Sequence, residues 1–147
     1  MDYGLVGADG ALLSNPVHYR DARTDGMLEA GFALVPRDVI FERTGIQFMQ
    51  INTLFQLLAS KLSNDPALDK AERLLMIPDL LNYWLTGVQA NEFSEATTSQ
   101  MYDPRKGEWA YSLVEQSGLA KAVIGDIMPS GTVLGPLYSG VADEVGL

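Results

Sequence analysis

The residues able to do chemistry fall in a few places. The densest is Tyr19-Arg20-Asp21-Ala22-Arg23-Thr24-Asp25. A guanidinium fork beside carboxylates can hold a polyhydroxyl ligand. The same residues can instead form a loop salt bridge and a helix N-cap from Thr24 or Asp25. Glu92 and Glu95 stand three apart in a polar stretch, 91–100. Such a pair could work as acid and base or hold Mg²⁺, but acidic residues in a solvated first helical turn are the stronger reading. Phe93 is an aromatic among Asn, Glu and Ser, the setting of a ring that stacks on a sugar. His18, the only histidine, lies beside Tyr19 on a strand pattern. A half-buried, hydrogen-bonded role suits it better than that of a general base.

What the chain lacks is equally informative. It contains no cysteine, which excludes disulfides and thiolate metal sites, and a single histidine removes most zinc sites and catalytic triads. No glycine cluster ends in Gly-Lys-Ser/Thr; Gly131 to Gly135 has the spacing, but Pro136 follows where a helix should begin. The formal net charge of −9 argues against a nucleic-acid partner and an anionic membrane surface. No apolar run approaches the roughly 20 residues that cross a bilayer. An acidic protein of the cytoplasm is the expectation, and 147 residues suffice for one domain with a core.

The elements that must position these residues alternate in character. Tyr3 to Ala8 reads as a strand, Asp9-Gly10 as a type I′ turn, and Ala11 to Leu13 as the returning strand. Leu28, Phe32 and Val35 share a helical face closed by Pro36, and Val39 to Arg43 forms a second helix ended by Gly45. Asn52 is placed to cap a helix carrying Leu54, Leu58 and Leu62. Asp65-Pro66 breaks it, and Ala67 to Arg73 reads as another turn or two of helix. Leu74 to Ile77 is a buried strand or the lead-in to a helix that has Pro78 in its first turn and Gly87 as its cap. Trp109 to Gln116 reads as an amphipathic helix ended by Gly118, and the Gly- and Pro-rich tail as loop with short extended pieces. The pattern predicts a mixed α/β chain with strands at its two ends and helices between.

Several phrases together resemble the first domain of FGGY-family carbohydrate kinases. They are Asp2-Tyr3-Gly4-Leu5-Val6 with the Ala8-to-Leu13 hairpin, Asn15-Pro16-Val17-His18-Tyr19-Arg20-Asp21 running on to Met27, and Arg43-Thr44-Gly45-Ile46-Gln47-Phe48 followed by Asn52-Thr53-Leu54-Phe55-Gln56-Leu57. Leu75 to Gly87, Glu92 to Gln100, and Gly131-Thr132-Val133-Leu134-Gly135 continue in order. The long phrases are most similar to the rhamnulokinase branch, and the resemblance covers essentially the whole chain.

The resemblance implies an incomplete ribonuclease H-like (actin-like ATPase) α/β domain: a partial N-terminal sugar-binding domain over residues 1–147, with a mixed sheet fragment and several helices. It implies transfer of the ATP γ-phosphoryl group to the 1-hydroxyl of L-rhamnulose or a related ketose, by positioning and charge stabilisation. ATP and Mg²⁺ serve the full-length family; neither is expected to bind these residues tightly. The phosphate hairpin is expected upstream of Met1, and the catalytic aspartate and ATP domain beyond Leu147. No catalytic or metal-binding residue is therefore carried over, and the chain alone is expected to be inactive without the remainder of the kinase. The sugar-site residues implied are Met1 and Asp2 at a strand end, Phe93 where glycerol-kinase-like members place a pocket tyrosine, Arg20 and Asp21, and the amides Gln47 and Asn52, which could read hydroxyls or cap helices. The alternative is a non-catalytic standalone domain for sugar binding or assembly. An exposed edge beside Tyr3 to Val6 would then favour self-association.

Overall fold

The computed structural model describes residues 1–120 and 123–147, which contain six short strands and eight helices. Strand β1 (Tyr3–Val6) pairs antiparallel with β2 (Arg73–Met76), Tyr3 opposite Met76 and Val6 opposite Arg73. The two-residue period of a strand divides their side chains between two clusters. Tyr3, Leu5, Leu74 and Met76 enter the main core, whereas Val6 and Leu75 join Leu80 on the other face. With both faces covered, β1 shows no polar alternation, and all four of its residues are buried.

The strands are interleaved with the helices rather than gathered at the chain ends, because the apolar run at 74–77 supplies the partner of β1. The run does both things the sequence allowed: β2 ends at Met76 and α5 (Ile77–Thr86) begins at once, with proline in its first turn and left-handed Gly87 closing it. The hairpin after β1 is reduced to a bridge between Val6 and Leu12 and a bond from Leu13 N–H to Leu5 O. Its turn is not type I′, which requires positive φ at both central residues. Gly10 alone is left-handed (φ +79°), and the turn closes with Gly10 N–H on Gly7 O at 2.9 Å. The Asp9 side chain accepts from Ala11 N–H, so Asp9 acts through its carboxylate rather than its backbone conformation.

The 3₁₀ turn Ala22–Thr24 is capped by Asp21, whose carboxylate accepts the Arg23 N–H at 2.9 Å; the cap is neither Thr24 nor Asp25. Helices α1 (Met27–Leu34) and α2 (Arg37–Thr44) follow on either side of Pro36. Helix α3 (Thr53–Leu62) is the central element: every residue from Thr53 to Ser60 is buried. Gly31 lets α1 approach it, since a Cβ there would sit 2.9 Å from the Phe55 ring. The Asp65 side chain caps α4 (Pro66–Lys70).

Two smaller pairings finish the fold. Strand β3 (Asn91–Glu92) runs into α6 (Phe93–Thr97) and pairs in parallel with β6 (Ile127–Met128). Strands β4 (Tyr102–Asp103) and β5 (Glu108–Trp109) form a hairpin whose turn is held by Asp103 accepting from Arg105 and Lys106 N–H. Trp109 thus lies in β5, and α7 (Tyr111–Gln116) starts two residues later than its pattern suggests. The indole is buried and donates to Gly125 O at 2.7 Å; that bond and packing against Tyr102 hold it at the strand position. Helix α8 (Ser139–Val145) ends the chain with no buried residue.

Candidate functional site

The start of β1 meets the start of α3 in a cluster of polar side chains. The Met1 carbonyl accepts from Thr53 Oγ1 at 2.9 Å and from Gln56 Nε2 at 3.1 Å. Gln56 is completely buried; its Nε2 also donates to Ile51 O, and its Oε1 accepts from Arg23 Nη2 at 3.0 Å. Arg23 continues the chain of bonds to Ser60 Oγ. One guanidinium, one amide and one hydroxyl therefore fix the strand end that carries Asp2. An amide accepting from a charged donor while donating to two carbonyls has little freedom left, and the strand end is held accordingly.

Beside this lies a second amide network. Asn52 stands at the N-cap position of α3, but its side chain caps nothing. Its Nδ2 donates instead to Gln47 O at 3.1 Å and Gln100 Oε1 at 2.7 Å, and Gln100 donates on to Thr44 Oγ1 and Ile46 O. Gln100 adopts φ +65° and is fully buried, a conformation an unbranched residue adopts when its surroundings determine it. Two acceptors in the neighbourhood, Asp2 Oδ1 and Asn52 Oδ1, are buried without a hydrogen-bond partner. Unpartnered buried acceptors are costly, and donors brought to these two atoms would relieve that cost.

The structure thus brings together Met1, Asp2 and Asn52, with Gln47 joined through its backbone carbonyl. The Gln47 side chain also borders an open groove of about 880 Å³ with Arg37, Phe41 and Phe48. Arg20 and Asp21 are exposed and locally engaged: Arg20 lies over the Tyr19 ring at 5.3 Å, and Asp21 caps its turn. Phe93 stands apart. Its ring meets Tyr102 edge-on at 5.5 Å and lines another groove with Ile127 and Pro129. Gln56, Thr53 and Gln100 are members of the cluster that spacing alone did not single out, whereas Arg23 comes from the Tyr19–Asp25 stretch. A glutamine flanked by Leu54, Phe55, Leu57 and Leu58 was the available signal, because an amide amid apolar neighbours must be hydrogen-bonded if it is buried.

The acidic residues gather around the N-termini of α5 and α6, next to the same strand end, where Ile77 N–H bonds Asp2 O at 3.1 Å. Asp79 is 3% exposed, accepts from Glu92 N–H at 3.1 Å through Oδ1, and has no partner at Oδ2. Burial, with smaller contributions from the Glu95 and Glu92 charges, pushes its pKa up to about 6 despite hydrogen bonds that oppose the shift. Glu92 behaves oppositely. Its slight burial acts upward, but the hydroxyls of Ser130 and Ser94 and the N–H groups of Ser94 and Glu95 outweigh that and lower it to about 2. Glu92 caps α6 through the Glu95 N–H, and Glu95 faces the Met1 amino group at 3.8 Å. The pair is thus occupied by helix-end electrostatics. Among the described residues, no group of three or more His, Cys, Asp or Glu is placed to hold a metal ion.

Comparison with known proteins defines the class. The model of the FGGY family of carbohydrate kinases, N-terminal domain, matches residues 3–147, and the chain belongs to that family. Among curated relatives, the rhamnulokinase of Oceanobacillus iheyensis is 40% identical over 100% of this chain and 31% of its own length. That of Bacteroides thetaiotaomicron is 36% identical over 100% and 30%. The chain therefore spans a little under a third of the relatives it matches. A gluconate kinase from Lactobacillus acidophilus (TM-score 0.89, 17% identity, 99% of this chain and 30% of that one) and a xylulose kinase from Rhodospirillum rubrum (TM-score 0.89, 20% identity, 100% and 31%) share the backbone arrangement. The fold is the α/β fold of these sugar kinases, part of a ribonuclease H-like (actin-like) domain.

Proposed function

We propose that these residues are the sugar-binding part of a cytoplasmic carbohydrate kinase of rhamnulokinase type, which transfers the ATP γ-phosphoryl group to the 1-hydroxyl of L-rhamnulose. The observation that carries the reading is the pair of buried, unpartnered acceptors, Asp2 Oδ1 and Asn52 Oδ1, at a strand end clamped by Thr53 and Gln56. Acceptors held in this way select a ligand by the direction of its hydroxyls. Identity of 36–40% to rhamnulokinases over the full 147 residues supports the choice of sugar. Within this reading Asp2 and Asn52 accept sugar hydroxyls, and Met1 and the Arg20–Asp21 loop border the site. Phe93 and the Gln47 side chain act outside it.

The chemical step belongs to the remainder of the kinase. The part played by these residues, on this reading, is to bind and orient the acceptor alcohol. Thermal melting with L-rhamnulose, D-xylulose and D-gluconate tests the reading. A ligand bound only by the folded chain stabilises it by about 2.7 kcal/mol at a hundred times its Kd. For a domain of this size that corresponds to roughly 5–11 °C. L-Rhamnulose is expected to raise Tm, and the Asp2→Asn variant to lose that rise while keeping the ligand-free Tm. Equal shifts from all three compounds, or from none, would remove the support for a rhamnulose site.

A further inference from the structure

Strand β1 also borders a small polar enclosure. Tyr3 is 6% exposed, yet its hydroxyl has no hydrogen-bond partner, and Arg23 Nε is buried without one as well. Both residues line one cavity of about 20 Å³, together with Ser14, Asn15, Ser60 and Asp65. Burial holds the Tyr3 hydroxyl above its usual pKa, although Ser60 and Arg23 act against the shift, so these side chains surround that one hydroxyl. Tyr3 O–H and Arg23 Nε–H are both donors. A buried donor left unpaired is costly, and two of them here share a single space. Its size decides what can serve them. A water needs roughly 10–15 Å³ of such space and two to four polar partners, so the cavity admits one water and nothing larger. Two lone pairs on one oxygen are what two donors lack. The protons of that water have acceptors on the wall: Ser60 Oγ, which takes Arg23 Nη1 at 3.3 Å and has a second lone pair, and the Asp65 carboxylate.

We propose that this cavity binds one long-lived water, which accepts from Tyr3 O–H and Arg23 Nε–H and through them positions the strand end that carries Asp2. Arg23 donates to Gln56 Oε1 through Nη2, and Gln56 holds the Met1 carbonyl. Through the water the same guanidinium also holds Tyr3. The residues on either side of Asp2 are thus tied to one cation, which is itself fixed by Ser60 of α3. A phenylalanine at position 3 would fill the same core space and lose this tie. The water site stands independently of any ligand; that it positions a ligand-binding acceptor rests on the functional reading above.

The test is water-selective NMR and hydrogen exchange on the isotope-labelled chain and on Tyr3→Phe. In the parent, Arg23 Nε–H should show a cross-peak to water of dipolar sign, which proton exchange does not produce. No such peak, or a direct contact between the Tyr3 hydroxyl and Arg23 Nε–H in its place, overturns the proposal. Hydrogen exchange reads the positioning. Ile77 N–H bonds Asp2 O at 3.1 Å and should exchange about fivefold faster in Tyr3→Phe, the opening expected from one lost hydrogen bond. Ala110 N–H, which bonds Met101 O at 2.7 Å beside the β4–β5 pair, should change by less than about twofold. Unchanged exchange at Ile77 overturns the positioning role. Equal acceleration at both amides would show a general loss of stability and overturns it too. The parent's cross-peak decides the water even where Tyr3→Phe does not fold. None of these readouts uses a sugar, so failure here and failure of the L-rhamnulose melts are separate results.

Discussion

Replacing Gln56 with leucine should be among the most damaging near-isosteric changes in this chain. The amide makes three bonds from a fully buried position: to Met1 O at 3.1 Å, to Ile51 O at 2.8 Å, and from Arg23 Nη2 at 3.0 Å. Two neutral bonds contribute about 1 kcal/mol each and the charged one about 1.5–3 kcal/mol, a total of roughly 3–5 kcal/mol. Burial of the leucine side chain offsets part of this, leaving a loss of about 3 kcal/mol. For a domain of this size that lowers Tm by roughly 6–12 °C. Arg23 would keep only the 3.3 Å bond to Ser60 among its side-chain bonds, and its Nε is already buried without a partner. The assay is denaturant unfolding followed by far-UV circular dichroism for Gln56→Leu, Arg23→Met and the double variant. If the two residues act as one clamp, the cycle should show a coupling of about 1–3 kcal/mol. A Gln56→Leu loss below about 1 kcal/mol, or additive single losses, would refute the argument that this amide fixes the strand end.

Two further outcomes follow from the fold. Asp79 has a native pKa raised to about 6 from 3.8, so the native state holds an extra proton between these values, and stability should fall as pH rises from about 4.5 through 6. Glu92, lowered to about 2 from 4.5, contributes stability present above 4.5 and lost below it, which leaves the upper window to Asp79. In melts across pH 4.5–7.5, Asp79→Asn should flatten this slope and melt above the parent at pH 7.5; an unchanged slope would exclude Asp79 as its source. Trp109→Ala removes a buried indole and its bond to Gly125 O. It should cost about 3–5 kcal/mol, read as a lower urea midpoint, and a loss under 1 kcal/mol would contradict the packing.

The sequence was most legible where one residue type has one physical use. Pro78 and Gly87 bracket α5 as their backbone preferences require, and Asp65-Pro66 ends α3 and caps α4. Legibility failed where tertiary partners decide. The pairing of β1 with β2 joins residues about 70 positions apart, and no local pattern at Tyr3 to Val6 indicates that partner. Asn52 shows the same limit within the site. Its N-cap position is readable from composition, yet its side chain is taken by Gln47 O and Gln100 Oε1, because a buried amide serves whichever carbonyls surround it. Phe93 is as exposed as its polar surroundings suggest, at 41%, while the edge-on contact of its ring with Tyr102 of the next strand has no local signal.

These failures share a cause that also explains the site. On the proposed reading, residues that hold a ligand must converge from distant segments, and the bonds from Thr53 and Gln56 to Met1 span more than 50 residues. A resemblance spanning the whole chain identifies the segments that converge, whereas the hydrogen bonds determine which atoms remain free. Two buried acceptors without partners beside a strand end held by Thr53 and Gln56 are the part of the proposed sugar site that only the hydrogen bonds reveal.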